Sequence, residues 1–326
     1  MIVTEPVIRP DARAFLDFWN ASLLARMEDF PAEQVRAIMN QVRATAPSVV
    51  HDLAVLRDLE AGFDGRSLRM RFYDRRAERA PGPLVIYYHG GGFVLGDLDT
   101  HHALCIALAE QLDLPLVSVE YRLAPEHPWP AAPDDAEAAA RWLAEHAEDA
   151  LDRGIASLVL AGDSAGANLA AVTARALRDA PAAVPVSAQF LAYPCVDSAG
   201  GTRSRAEFAE GFLLTSASID WFFKQYAAPA GDPRFDLLHA DPTGMPPTVL
   251  VTAGLDPLRD EGRIYAGALI AAGVPVTYRE ARGNIHGCFS MAAAIPSTAA
   301  DIREAVAALG LAMAAGQARD EGGTGD

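Results

Sequence analysis

Lysine is nearly absent from this chain of 326 residues: Lys224 is the only one, and arginine makes up the rest of its 27 basic residues. No stretch clusters Lys or Arg, and the net charge is −16. That balance excludes nucleic acid and anionic membrane surfaces as partners. The lack of lysine reads as GC-rich coding rather than function. Cysteine is scarce too. Cys105, Cys195 and Cys288 are odd in number and widely spaced, which rules out a disulfide framework and zinc-type spacing. No apolar run approaches the length of a membrane span. Met1 to Asn20 has neither a basic start nor a long apolar core, so no signal peptide is expected. Neither nucleotide-cradling glycine pattern occurs. These absences leave a reduced, soluble, cytoplasmic protein as the simplest reading.

What is present is core material. Hydrophobic residues make up 51% of the chain, enough for one large α/β domain with an added cap. Residues 1–50 read as cap helices: Ala12 to Met27 and Pro31 to Val42 carry apolar residues near helical spacing. Val55 to Tyr73 reads as a hairpin around Asp64-Gly65. Short apolar strands then alternate with helices: Leu84 to Tyr88, Leu116 to Glu120, Ser157 to Ala161, Ser187 to Tyr193, Thr248 to Ala253 and Val276 to Arg279. Such alternation predicts a mostly parallel sheet covered on both faces. The core is expected over 51–195 and 241–316. Residues 196–240 interrupt the alternation with two helical segments and read as a cap insertion. Residues 317–326, rich in Gly and Asp, read as a flexible tail.

Three places carry chemistry. Gly162-Asp163-Ser164-Ala165-Gly166 lies between an apolar strand and an alanine-rich helix. A serine on such a sharp turn stands clear of the sheet, and glycines two residues to either side let strand and helix approach. His89-Gly90-Gly91-Gly92-Phe93 follows another strand. Its consecutive glycines expose backbone N–H groups, as an oxyanion hole requires. Donors are expected from Gly91 and Gly92, with Ala165 as the residue after the serine. Asp256 follows the strand Thr248 to Ala253, where parallel sheets place functional groups. It can orient a histidine, or it can simply cap the next helix. Asp260 is the rival carboxylate, one turn further on. His286 follows the last strand and completes the order Ser, Asp, His. His101 and His102 have no second ligand pair and suit a helix start, and His89 is expected to shape its loop.

With these motifs in hand, the chain resembles the bacterial hormone-sensitive-lipase-like (family IV) esterases, a branch of the α/β-hydrolase superfamily. The resemblance runs from about residue 50 to 312. It also rests on Tyr121-Arg-Leu-Ala-Pro-Glu-His127, Asp256-Pro-Leu-Arg-Asp-Glu-Gly262 and His286-Gly287. It implies an eight-stranded, mostly parallel sheet, a helical cap, and no metal or organic cofactor. It implies Ser164, Asp256 and His286 as a catalytic triad and Gly91, Gly92 and Ala165 as the oxyanion hole. The implied activity is hydrolysis of short- to medium-chain esters of small molecules, and many members dimerise. The same machinery serves amides, formamides and lactones. A non-catalytic receptor of the plant gibberellin type replaces the histidine, which this chain retains. One position departs from the family: Cys288 stands where an aromatic is usual. It reads either as a small apolar substitution or as a thiol lining the acyl pocket. Phe18, Trp19, Phe212, Leu213, Leu214, Trp221 and Phe222 are candidate pocket lining or cap core.

Overall fold

Strands buried on both faces need near-continuous apolar sequence, and the central strands of this protein have it. The computed structural model describes residues 6–44, 49–63 and 65–322. In chain order the elements are α1 (Pro10–Asn20), α2 (Ala32–Ala44), β1 (Val55–Phe63), β2 (Arg66–Asp74), β3 (Gly82–Tyr88), α3 (His102–Leu112), β4 (Leu116–Val119) and α4 (Ala131–Leu151). There follow β5 (Ile155–Asp163), α5 (Ala165–Asp179), β6 (Val186–Ala192), α6 (Arg203–Glu207), α7 (Ser216–Tyr226), β7 (Thr248–Leu255), α8 (Arg259–Ala271), β8 (Val276–Ile285) and α9 (Thr298–Gly322).

The eight strands form one sheet in the order β1-β2-β4-β3-β5-β6-β7-β8. β1 and β2 pair antiparallel, as do β2 and β4. Every pairing from β4 through β8 is parallel. Alternate residues divide between two cores, as the period of a strand demands. Leu84, Ile86, Tyr88, Leu158 and Leu160 face a core shared with α4, α5 and α8. Val85, Tyr87, Val159 and Ala161 face the opposite core, shared with α3 and α9. Alanines on α5 keep that helix close to the sheet: Ala167, Ala170 and Ala171 are all fully buried.

Three expectations from the sequence are revised. The helix expected over Ala12 to Met27 ends at Asn20, and a separate 3₁₀ segment covers Leu23–Asp29. Asn20 and Ser22 favour helix ends, where their side chains compete for backbone groups. The tighter segment lies against α7. The last helix continues through the expected tail to Gly322, the first of two paired glycines, because Gln317, Ala318, Arg319 and Glu321 are good helix formers. Residues 323–326 of that tail, and Asp64 at the hairpin turn, lie outside the described residues. β8 runs six residues past Arg279 and delivers the chain directly to His286. Among the described residues, no helix is long and apolar enough to cross a membrane.

Candidate active site

Ser164 sits between β5 and α5 with φ 55° and ψ −119°. A non-glycine residue rarely adopts positive φ, and doing so costs about 1–2 kcal/mol. The surroundings enforce it. A Cβ on Gly166 would lie 1.9 Å from the Tyr88 carbonyl oxygen, and one on Gly162 would lie 2.4 Å from the backbone of Gly166. Only glycine at both places lets the turn close this tightly. The Ser164 N–H donates to the Ala192 carbonyl at 2.8 Å, tying the turn to β6.

β7 and β8 bring two further side chains to this turn. His286 Nε2 lies 2.8 Å from Ser164 Oγ, and His286 Nδ1 lies 2.8 Å from Asp256 Oδ2. Asp256 is fully buried, and its other oxygen accepts the Leu258 N–H at 2.8 Å. A carboxylate at Nδ1 holds the proton on that nitrogen and leaves Nε2 free to accept from the serine. The rival Asp260 is engaged elsewhere. It pairs with Arg259 and Arg263 and accepts the Ser204 N–H. The Tyr193 ring meets the His286 imidazole edge-on, with centroids 5.0 Å apart.

The glycine loop after β3 lines the same cavity as Ser164, Ala165 and His286. Gly91 and Gly92 both take positive φ, 120° and 61°. The Gly91 carbonyl accepts the Leu95 N–H at 2.8 Å, which turns the peptide over. The N–H groups of Gly91 and Gly92 have no acceptor among the described residues. Gly90 N–H differs: it donates to Asp163 Oδ1 at 2.8 Å. That same oxygen accepts the Tyr87 hydroxyl at 2.7 Å and lies 3.3 Å from His101 Nε2. Burial pushes the Asp163 carboxyl upward, but His101, Tyr87 and the Gly90 N–H outweigh it and hold the pKa below the usual carboxylate value. Sequence reasoning gave Asp163 no role of its own. It missed Tyr193 altogether, and it read His101 only as a helix start.

His89 stacks on Tyr121 with centroids 4.3 Å apart, and its Nδ1 lies 2.8 Å from the Gly90 carbonyl oxygen. Burial pushes its pKa down to about 4, with neighbouring His101 adding to the effect. The unfolded chain therefore takes up a proton below about pH 6.5 that the folded chain refuses. This contribution to stability is present above that pH and is lost as pH falls toward 4. By pH 5 the loss is about 2 kcal/mol. Urea unfolding at pH 7 and pH 5 tests it. His89→Asn is expected to shrink the difference between the two, and an unchanged difference would reject the assignment.

The cavity above Ser164 encloses about 240 Å³ and is mainly apolar. Trp19, Leu24 and Met27 line it from the N-terminal segment, and Leu213, Leu214 and Phe222 from the insertion. Phe18 is 72% exposed and Trp221 packs in the core, so neither lines it. Phe212 packs with Phe208 beside α1. Cys288 is fully buried behind the sheet and burial raises its thiol pKa. It does not line the cavity, so the apolar-substitution reading stands. Cys195 lines the cavity instead. The insertion supplies α6 and α7. Arg205 of α6 donates to the buried Glu261 at 2.9 Å, which anchors the insertion to α8.

Comparison with known proteins bears on the fold and the family. A family model described as the alpha/beta hydrolase fold matches residues 85–290. The carboxylic ester hydrolase LipN of Mycobacterium tuberculosis is 44% identical over 236 residues, 70% of this chain. The chain spans only 62% of that longer relative. The carboxylesterase NlhH of the same organism is 36% identical over 319 residues, covering 95% of this chain and 98% of the relative. A crystal structure of an alpha/beta hydrolase enzyme from the metagenome of Lake Arreo, Spain, superposes with TM-score 0.87 at 38% identity, covering 94% of this chain and 98% of that one. With the family model matching well over half its length, and a relative matching nearly all of it, this chain belongs to the hormone-sensitive-lipase-like branch of the α/β-hydrolases.

Proposed function

We propose that the protein is a serine carboxylesterase that hydrolyses short- to medium-chain esters of small molecules through an acyl-enzyme on Ser164. The observation that carries this is the pair of 2.8 Å contacts running from Ser164 Oγ through His286 to Asp256, set at the floor of an apolar cavity. The esterase names of the relatives support the same reading.

In the proposed reaction Ser164 Oγ attacks the ester carbonyl while His286 Nε2 takes its proton. Asp256 orients the ring and stabilises the imidazolium. The N–H groups of Gly91, Gly92 and Ala165 receive the developing oxyanion, and a donor of this kind is worth about 3 kcal/mol in comparable enzymes. His286 then protonates the departing alcohol, and water repeats the sequence to release the acid. Residues 1–50 and 196–240 serve as the cap that sets acyl length, over a core of 51–195 and 241–316. Three buried free thiols suit a reducing cytoplasm. A homodimer is the expected assembly, and sedimentation reads it directly.

The test is hydrolysis of p-nitrophenyl esters from acetate to palmitate. Rates are expected to peak at short acyl chains and fall steeply beyond, as a cavity of about 240 Å³ has room for only a short chain. No activity at any length, in folded protein, would turn the reading to amides or lactones.

A further inference from the structure

The glycine loop after β3 carries three consecutive residues in the left-handed region. Gly91, Gly92 and Phe93 have φ of 120°, 61° and 63°. Glycine takes such angles freely, but a bulky residue does not. Phe93 keeps its angle only because its surroundings fix it. The start of the loop is held by the bond from Gly90 N–H to Asp163. Its far end, Gly92 and Phe93, lies under a helix of the insertion.

That helix is α7. Phe222 and Tyr226 stand four residues apart, so they share one face of it. The Phe222 ring covers Gly92, where an added Cβ would lie 2.3 Å from Phe222 Cδ1. The Tyr226 ring stacks on Phe93, with centroids 3.9 Å apart and planes 7° from parallel. Phe235 meets both rings of that stack edge-on, at 5.8 and 5.4 Å. The Phe235 carbonyl accepts from Asn168 Nδ2 at 2.7 Å, and Asn168 lies one turn past Ser164 on α5. The aromatic cluster thus ties the glycine loop to the helix that starts at Ser164. The Tyr226 hydroxyl is buried with no hydrogen-bond partner among the described residues, so the contact is made by the ring.

We propose that Phe222 and Tyr226 are positioning residues for the oxyanion hole: through them α7 holds the Gly91 and Gly92 N–H groups in register with Ser164. The inference rests on the esterase reading above. Neither side chain donates to the substrate. Phe222 also lines the cavity over Ser164, whereas Tyr226 does not. Tyr226 therefore tests the positioning role free of contact with the acyl chain. Placement counts because an error of about 1 Å can cost about a hundredfold in rate. Bonds to the oxyanion form fully only in the transition state.

The experiment sets Tyr226→Leu against Tyr226→Phe, with rates normalised to the fraction titrated by a fluorophosphonate. It measures kcat/KM for p-nitrophenyl butyrate, and Ki for propyl trifluoromethyl ketone and propyl methyl ketone. Ser164 Oγ adds to the carbonyl carbon of the fluorinated ketone, its proton passes to His286, and the ketone oxygen becomes an oxyanion. The methyl ketone stays trigonal and reports binding of the same propyl chain. Tyr226→Leu is expected to lower kcat/KM and raise Ki for the fluorinated ketone together, each by about tenfold or more, with Ki for the methyl ketone within about twofold. Tyr226→Phe keeps the stack and is expected to stay within about twofold of wild type throughout, since an unpartnered hydroxyl contributes no bond. Equal weakening of both ketones, no change in either, or an equal loss in Tyr226→Phe would overturn the proposal. Should Tyr226→Leu fail to fold, Phe222→Leu gives the same comparison. The methyl-to-trifluoromethyl ratio of Ki falls if Phe222 places Gly92, and stays constant if Phe222 only lines the cavity. A wild type that neither cleaves the ester nor binds the fluorinated ketone would remove the esterase reading, and the positioning role with it. An active wild type whose ratio no variant moves would remove the positioning role alone.

Discussion

Ser164→Ala is expected to lower kcat for p-nitrophenyl butyrate by about 10⁶, by analogy with serine hydrolases that lose the nucleophile. The reason is local. Ser164 Oγ is the atom that His286 Nε2 faces at 2.8 Å, and neither glycine flanking the turn can replace it. Residual turnover would come from binding and the backbone donors alone, about 10³–10⁴ above water. The substitution keeps a Cβ at the strained position, so the fold should survive with a melting temperature within a few degrees of wild type. Intact mass after a fluorophosphonate provides a second readout: the wild type gains one adduct and the variant none. Activity within tenfold of wild type would remove Ser164 from the mechanism.

Asp256→Asn is expected to cost about 10⁴ in kcat through the wrong histidine tautomer. The surroundings decide which way the new amide points. Asp256 Oδ1 accepts the Leu258 N–H at 2.8 Å, so the asparagine must leave its oxygen there and turn its NH₂ toward His286 Nδ1. That nitrogen then has to accept, its proton moves to Nε2, and the histidine no longer takes the serine proton. Asp260→Asn is the matched control. Asp260 sits in partly exposed ion pairs with Arg259 and Arg263, worth about 1 kcal/mol or less each. Its loss should change kcat by less than about threefold. A large effect at Asp260 with a small one at Asp256 would reverse the assignment of the carboxylate.

Much of this is legible in the sequence. The apolar runs at Leu84 to Tyr88 and Ser157 to Ala161 are strands because nothing polar interrupts them, and both faces of the sheet are buried. The turn at Ser164 was readable because its two glycines and serine lie between an apolar strand and an alanine-rich helix, in one chain with the His89-Gly90-Gly91-Gly92 loop. The N-terminal segment and the insertion were harder. α1 meets β8 and the 3₁₀ segment meets α7, and no local pattern says which of their apolar residues face the cavity. Trp19 lines it and Phe18, one residue earlier, is exposed. The helix broken after Asn20 shows the same limit, since its apolar spacing continues across the break.

The sequence by itself determined the order of strands and helices, the turn that carries Ser164 and the identity of the charge-bearing residues, because each follows from short-range patterns of polarity, glycine and motif spacing. Only the tertiary structure decided their partners. Gly90 and Asp163 lie 73 positions apart and meet at 2.8 Å, and Ser164 and His286 meet across 122. Cys195, not Cys288, reaches the cavity, although Cys288 is two residues from the histidine. Met39 and Ser164 come to one cavity from α2 and from the turn after β5. Such meetings depend on how the sheet twists and how helices stack on it. That is a property of the packed chain as a whole, and no segment carries it alone.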